Sequence, residues 1–241
     1  MSKKSVPADL AAKFDARHPI HPDSPFAQFM SGLQAVSSER PVRPVVTPFG
    51  RRARGHCSAR KSIDKARYES LLEQNVWRVL DTASSVRSFM THPVVLRLNK
   101  GGGGAFHYTP DAVVRVGDVV HGDGVVLEVK ARFFLTQNVT RQRTQNIARA
   151  LKDAGLQYAL LLDTDLNDDF IETLSALLHQ RPAMGRWGPD KDPDAWDVRG
   201  RTIPVEQTAA AWTAAKAECD ALLQRVMRRD PGDVDELLQL A

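Results

Sequence analysis

The chain has 241 residues, 33 Lys/Arg against 29 Asp/Glu and a formal net charge of +4. That length buries one full core with room for a smaller appendage. Its 2 cysteines, Cys57 and Cys219, exclude a disulfide scaffold and suit a reducing, cytoplasmic compartment, and no apolar run or signal-peptide core points to a membrane.

The positive charge is unevenly placed. Residues 1–65 carry 12 Lys/Arg and 5 Asp/Glu, a net of +7, while the remainder nets −3. Phosphate backbones attract such a segment through counterion release, so nucleic acid is a natural partner; a solvated tail is the plain alternative. Residues 1–60 also hold seven prolines, from Pro7 to Pro48, and lead into the run 51-RRARGHCSARK-61. They read as an extended basic arm with one short helix near Phe26 to Leu33. His56-Cys57 is no zinc motif, because no second ligand pair follows at suitable spacing.

Apolar spacing predicts a helix from Ser62 to Asp81. With Glu69 at the origin of a helical wheel, Leu72, Val76 and Leu80 fall within roughly 60° of it. Glu69 thus sits on the apolar face and Glu73 at its margin, which leaves Glu73 as a competing choice for a buried acid. A carboxylate in a core-facing stripe needs a partner, and a metal site supplies one. Strands follow at 86-VRSFM-90 and 94-VVLRL-98. The loop 99-NKGGGG-104 lacks the G-K-[ST] of a phosphate loop and opens no helix, so it reads as a flexible connection.

Two central strands, 108-YTPDAVV-114 and 125-VVLEVKAR-132, flank a turn across 117-GDVVHGDG-124. A polar helix is expected from Gln137 to Ala154, with Ile147, Ala148 and Leu151 inward and Arg141, Gln142 and Arg143 outward. The buried run 157-QYALLLD-163 suits a parallel crossover strand. This order is α/β, a mixed sheet flanked by helices. Beyond Leu166 a helix from Asp168 to His179, an aperiodic stretch 182–196, a long helix from Pro204 to Arg229 and a short last helix make a small helical appendage for partner or DNA contacts. Trp187, Trp196 and Trp212 read as core fillers.

Strand side chains two apart share a face, so Glu128 and Lys130 point one way and Leu127, Val129 and Ala131 the other. Charges among so many valines are costly unless they pair with each other, with solvent or with a metal. Asp111 follows Pro110 at the mouth of the adjoining strand. Two oxygen donors from adjacent strands offer a hard divalent cation a partial shell with room for water and phosphate.

Glu69, Pro110-Asp111 and Glu128-Val129-Lys130, in this order of elements, resemble the PD-(D/E)XK nuclease superfamily. Within it the chain looks most like the TnsA-type endonuclease subunit of heteromeric transposases. The likeness runs from Ala66 to Leu166, carried by 66-ARYESLLEQNVWRVLDTASSVRSFMTHPVVL-96, 107-HYTPDAVVRVGD-118, 125-VVLEVKAR-132 and 160-LLLDTDL-166. It implies a restriction-endonuclease-like nuclease domain at 61–166, between the arm at 1–60 and the helical region at 167–241. By the same resemblance Asp111 and Glu128 ligate Mg2+, with Mn2+ as substitute, helped by the Val129 carbonyl and by Glu69 directly or through water. Lys130 holds the attacking water, and Arg141, Gln142 and Arg143 contact the DNA backbone.

The implied activity is nicking of double-stranded DNA at the 5′ ends of a mobile element. An integrase-like transposase subunit is the implied partner, with an ATPase regulator beyond it. Two other classes fit the same residues: a free-standing restriction or repair nuclease of this fold, and a non-catalytic DNA-binding assembly subunit.

Overall fold

The computed structural model describes residues 6–40, 42, 53–100, 103–117, 123–180 and 205–239. Several expectations lie outside these residues: the arginines at 51 and 52, two of the four glycines of the 99–104 loop, most of the 117–124 turn, the 182–196 stretch with Trp187 and Trp196, and Pro204.

Eight strands and eight α-helices are present among the described residues. A four-stranded mixed sheet is built from β3 (Val86–Thr91), β6 (Ala112–Val116), β7 (Gly124–Lys130) and β8 (Tyr158–Leu162), in that spatial order. β3, β6 and β7 pair antiparallel, whereas β7 and β8 pair parallel with Glu128 opposite Leu160. The parallel pair is joined through α4 (Arg132–Leu135) and α5 (Asn138–Asp153), as a crossover requires. Two small antiparallel pairs flank the sheet: β1 (Gly55–Cys57) with β2 (Ala66–Tyr68), and β4 (Leu96–Asn99) with β5 (Ala105–Tyr108). The expected strand from Tyr108 to Val114 is therefore two strands, broken at 109–111.

Alternation along the central strands sorts the core into two layers. Val114, Val125, Leu127 and Val129 face one side, where they meet Val76 and Leu80 of α3 (Leu71–Thr82). Leu174 of α6 (Asp168–Gln180) and Leu222 of α7 (Val205–Arg228) complete that layer. Val113, Val126 and Tyr158 face the other side, under Ile147 and Leu151 of α5. The terminal helix α8 (Val234–Gln239) closes a third, smaller cluster through Val234 and Leu237 against Leu135, Leu160 and Leu162. Among the described residues no helix is long and apolar enough to cross a membrane.

Both ends of the chain depart from expectation. Instead of an extended arm with one short helix, residues 6–35 form α1 (Val6–Arg17) and α2 (Pro25–Ala35). Leu10, Phe14, Phe26, Phe29, Met30 and Leu33 of these helices belong to the second core layer. Ser24 caps α2 by accepting from the Ala27 N–H at 3.2 Å, and Pro25 follows at the first helical position, so the prolines here start a helix instead of preventing one. At the other end α6 and α7 cover the sheet instead of standing apart from it. Asp220 of α7 accepts from the Ser85 N–H at 2.7 Å and from its hydroxyl at 2.6 Å. Trp212 is buried, as expected of a core filler.

Part of the N-terminal positive charge is consumed by this packing. Arg17 donates to the backbone carbonyls of Arg60 and Ser62, and the Lys61 ammonium donates to the Ala83 carbonyl. Arg115 of β6 is fully buried; it donates to the carbonyls of His18 at 2.7 Å and Pro19 at 3.2 Å, with its guanidinium 4.8 Å from the centre of the Phe26 ring.

α2 lies tightly against the sheet at Gly124, the first residue of β7. A Cβ there would stand 2.0 Å from Cδ1 of Phe29, so only glycine lets that ring lie against the strand. Gly124→Ala is expected to destabilise the fold by about 1–3 kcal/mol through overpacking. Chemical denaturation measures this directly, and an unchanged midpoint would show that α2 does not press on the strand.

Candidate active site

Because β3 and β7 both run antiparallel to β6, the C-terminal ends of β3 and β7 meet the start of β6 at one end of the sheet. The parallel strand β8 ends there too. Ligands in open α/β sheets bind outside the carboxyl ends of strands, where the chain diverges and leaves a crevice. His92 leaves β3 at this end, Asp111 enters β6, and Glu128 and Lys130 close β7.

The side chains are held by short hydrogen bonds. Asp111 Oδ2 accepts from the Val129 N–H at 2.7 Å, which fixes the acid against the neighbouring strand. Glu128 Oε1 accepts from Lys130 Nζ at 2.6 Å, and its Oε2 accepts from the Tyr108 hydroxyl at 2.7 Å. Both Glu128 and Tyr108 are buried, while Lys130 is half-buried. The strand alternation expected for Glu128 and Lys130 is thus present, and the lysine bridges back to the acid two residues before it.

The helical acid is Glu73 and not Glu69. The sequence spacing suggested one helix from Ser62, but residues 66–68 pair with residues 55–57 as strands, and α3 begins only at Leu71. Ser70 is its N-cap, accepting from the Glu73 N–H at 3.2 Å. The Glu73 carboxylate in turn accepts from the Glu69 N–H at 2.8 Å and the Ser70 hydroxyl at 3.1 Å, so Ser70 and Glu73 hold each other at the helix start. Glu69 therefore precedes the helix, and the helical wheel that put it on an apolar face does not apply. Glu73 is buried and stands 3.8 Å from His92 Nε2, which is itself 3.9 Å from Asp111 Oδ1.

His92 was not singled out by the sequence. It is the one non-glycine residue of positive φ among the described residues, at 46°, and its N–H donates to the Asp111 carbonyl at 2.9 Å. Such a conformation costs on the order of 1 kcal/mol outside glycine and tends to persist at functional sites. A histidine followed by Pro93 at a strand end was the available signal. Tyr108 was likewise missed, although it opens the quoted strand and sits three residues before Asp111.

The electrostatics follow from burial. Desolvation raises the Asp111 carboxyl well above the usual carboxylate range; the Glu128 and Glu73 charges add to this, while the Val129 N–H and Lys130 oppose it. Burial also raises Glu73, with Glu69 and Glu128 adding and the hydrogen bonds from Glu69 and Ser70 opposing. Burial first and the Glu128 charge second push the Tyr108 and Tyr158 phenols well up, so both stay neutral at pH 7.

The donor set suits a hard divalent cation in its chemistry. Three carboxylates, of Glu73, Asp111 and Glu128, share one sheet end with a single ammonium, a charge excess that a divalent ion would match. Among the described residues, however, no three His, Cys, Asp or Glu side chains stand in a ready-made cage, and Glu128 is engaged by Lys130 and Tyr108. Val129, expected to lend its carbonyl, lends its N–H to Asp111.

The three residues expected to touch DNA separate. Arg141 is ion-paired with Asp235 of α8, whereas Gln142 and Arg143 line a groove of about 680 Å³ between α5 and the β4–β5 pair. No protein-family model matches the chain, and no curated protein matches it.

Asp111→Asn keeps an acceptor for the Val129 N–H but removes a desolvated charge beside two other acids. Because the folded carboxyl takes up a proton more readily than the unfolded one, metal-free wild type should gain stability as pH falls from neutral towards about 4. The variant is expected to flatten that gain and to melt a few degrees higher at pH 7, for about 1 kcal/mol. Thermal unfolding across pH checks it; parallel curves would mean that Asp111 is not held under strain.

Proposed function

We propose that the chain is a metal-dependent DNA endonuclease of the PD-(D/E)XK type with a restriction-endonuclease-like fold, acting as the nicking subunit of a heteromeric transposase. The observation that carries this reading is the convergence of Asp111, Glu128 and Lys130, from adjoining strand ends, with Glu73 at the opening of a helix. Carboxylates so desolvated cost stability unless they have a task, and a phosphoryl-transfer site supplies one.

In this reading Asp111, Glu128 and Glu73 hold Mg2+ or Mn2+, with Glu73 taking the place the sequence assigned to Glu69. The metal supplies Lewis-acid stabilisation of the phosphate oxygens and a lowered pKa for bound water. Lys130, released from Glu128, donates to the attacking water and orients it beside the scissile phosphate. The Val129 N–H keeps Asp111 from turning away, and the neutral Tyr108 hydroxyl does the same for Glu128. His92, within 4 Å of two of the acids, tempers their mutual repulsion when protonated. The substrate is double-stranded DNA at the 5′ ends of a mobile element, and the partners are an integrase-like transposase subunit and an ATPase regulator.

Plasmid nicking in Mg2+ or Mn2+ tests this, with wild type beside Lys130→Ala and with or without a co-expressed transposase subunit. Wild type should nick only with the partner, and Lys130→Ala should lose about a hundredfold or more in rate while still folding, with a melting temperature lowered by the loss of Glu128's partner. Cutting by wild type alone favours a free-standing nuclease. Absence of both cutting and metal binding favours an assembly subunit.

A further inference from the structure

The groove between α5 and the β4–β5 pair sets Gln142 and Arg143, both expected to contact DNA, among residues for which the nuclease reading has no role. One wall is the face of α5 that carries Asn138, Gln142 and Asn146, three amides at successive spacings of four residues, with Gln142 Nε2 donating to Asn146 Oδ1 at 3.3 Å. The opposite wall is the β4–β5 pair, which contributes Phe106 and His107. Arg143 and Lys100 stand at its rim, both exposed, and neither makes an ion pair among the described residues. Among the described residues no carboxylate lines it.

We infer that this groove binds an unpaired DNA strand and reads its bases, favouring adenine. The chemistry is that of single-strand recognition: an aromatic and an imidazole ring on which bases stack, two cations for the backbone, and amides that satisfy base edges. Asn and Gln side chains match the paired donor and acceptor of adenine, which sets the expected preference. A free helix bearing such an amide stripe would suit a duplex major groove. Here the β4–β5 wall stands across it, and a space of about 680 Å³ has the size of a small-ligand pocket, admitting a nucleotide or two and not a duplex. His107 of the groove is followed on β5 by Tyr108, which holds Glu128, so one strand links the groove to the acids.

The inference rests on the nuclease reading for its role, as a site that grips a strand unpaired next to the cut. Sequence preference would then reside partly in this chain, in α5, although no base-reading motif is visible in the sequence.

The test uses the full chain in EDTA, which silences cleavage, and fluorescein-labelled oligo-dA and oligo-dT of about ten nucleotides, with a duplex of equal length. Wild type should bind oligo-dA more tightly than oligo-dT, and both more tightly than the duplex. Arg143→Ala should weaken both single strands about tenfold and make the salt dependence shallower by about 0.7. Gln142→Ala should erase the preference for oligo-dA and leave the salt dependence alone. As a second measurement, 2-aminopurine within the oligo-dA should be quenched by wild type and less so by His107→Ala. These positions are exposed or half-exposed, and a melting curve shows that each variant is folded.

Equal affinity for duplex and single strand would overturn the inference, as would indifference of binding to all three variants. So would loss of the transposase subunit from the complex in Gln142→Ala and Arg143→Ala with oligonucleotide affinity intact, since that marks a protein-docking groove. The nicking assay separates the two readings. Nicking without single-strand binding sinks the groove alone, and single-strand binding without nicking sinks the nuclease reading alone.

Discussion

Strand β7 is bonded on both edges, antiparallel to β6 and parallel to β8, and its apolar residues are buried on both faces. A strand so enclosed tolerates charge only where it runs out of the sheet, and there only with partners. Glu128 and Lys130 occupy that end. Their pairing at 2.6 Å, the Tyr108 hydroxyl on Glu128 and the Val129 N–H on Asp111 supply the partners. Remove the enclosure and the acids relax into solvent as ordinary carboxylates. With it, they are held close, dry and mutually repelling, which is the condition under which a divalent cation binds usefully.

The enclosure is built by the two ends of the chain. α1 and α2 seal one face, with the Phe29 ring laid on Gly124 and the buried Arg115 guanidinium binding the carbonyls between the two helices. α6 and α7 seal the other, pinned by Asp220 to Ser85 and by Asp165 to Arg229 at 2.6 Å. The exposed edge of β3 is met by the 61–63 segment, through the bridge from Ser62 to Phe89, and β4 by the bridge from Ser37 to Leu96. Segments that look peripheral in the sequence are thus what keeps the acid-bearing end of the sheet dry.

How much was legible depended on whether the signal was local. Period-two alternation through 125–130 placed Glu128 and Lys130 on one face, and a short apolar run after a helix ending near Gly155 placed β8 parallel. Both are properties of a few consecutive residues, and both are present. The start of α3 was misplaced because the strand at 66–68 exists only through pairing with residues 55–57 upstream. The placement of Glu69 on a helical face went with it. The split of the Tyr108–Val114 run was hidden for the same reason, since β5 belongs to a different sheet from β6.

The sequence by itself determined the mixed α/β character, the strand face that bears the charges and the acids at 111 and 128, because periodicity and burial cost act residue by residue. Only the tertiary structure decided that Glu73 and His92 join them and that Arg141 is diverted to Asp235. It also decided that a basic, proline-rich start folds onto the sheet. Those outcomes depend on which surfaces meet, and an arginine, a histidine or a proline carries no mark of its distant neighbour. Desolvation is the physical reason behind each, since a charge or an apolar face is assigned its place by whatever arrives to exclude water from it.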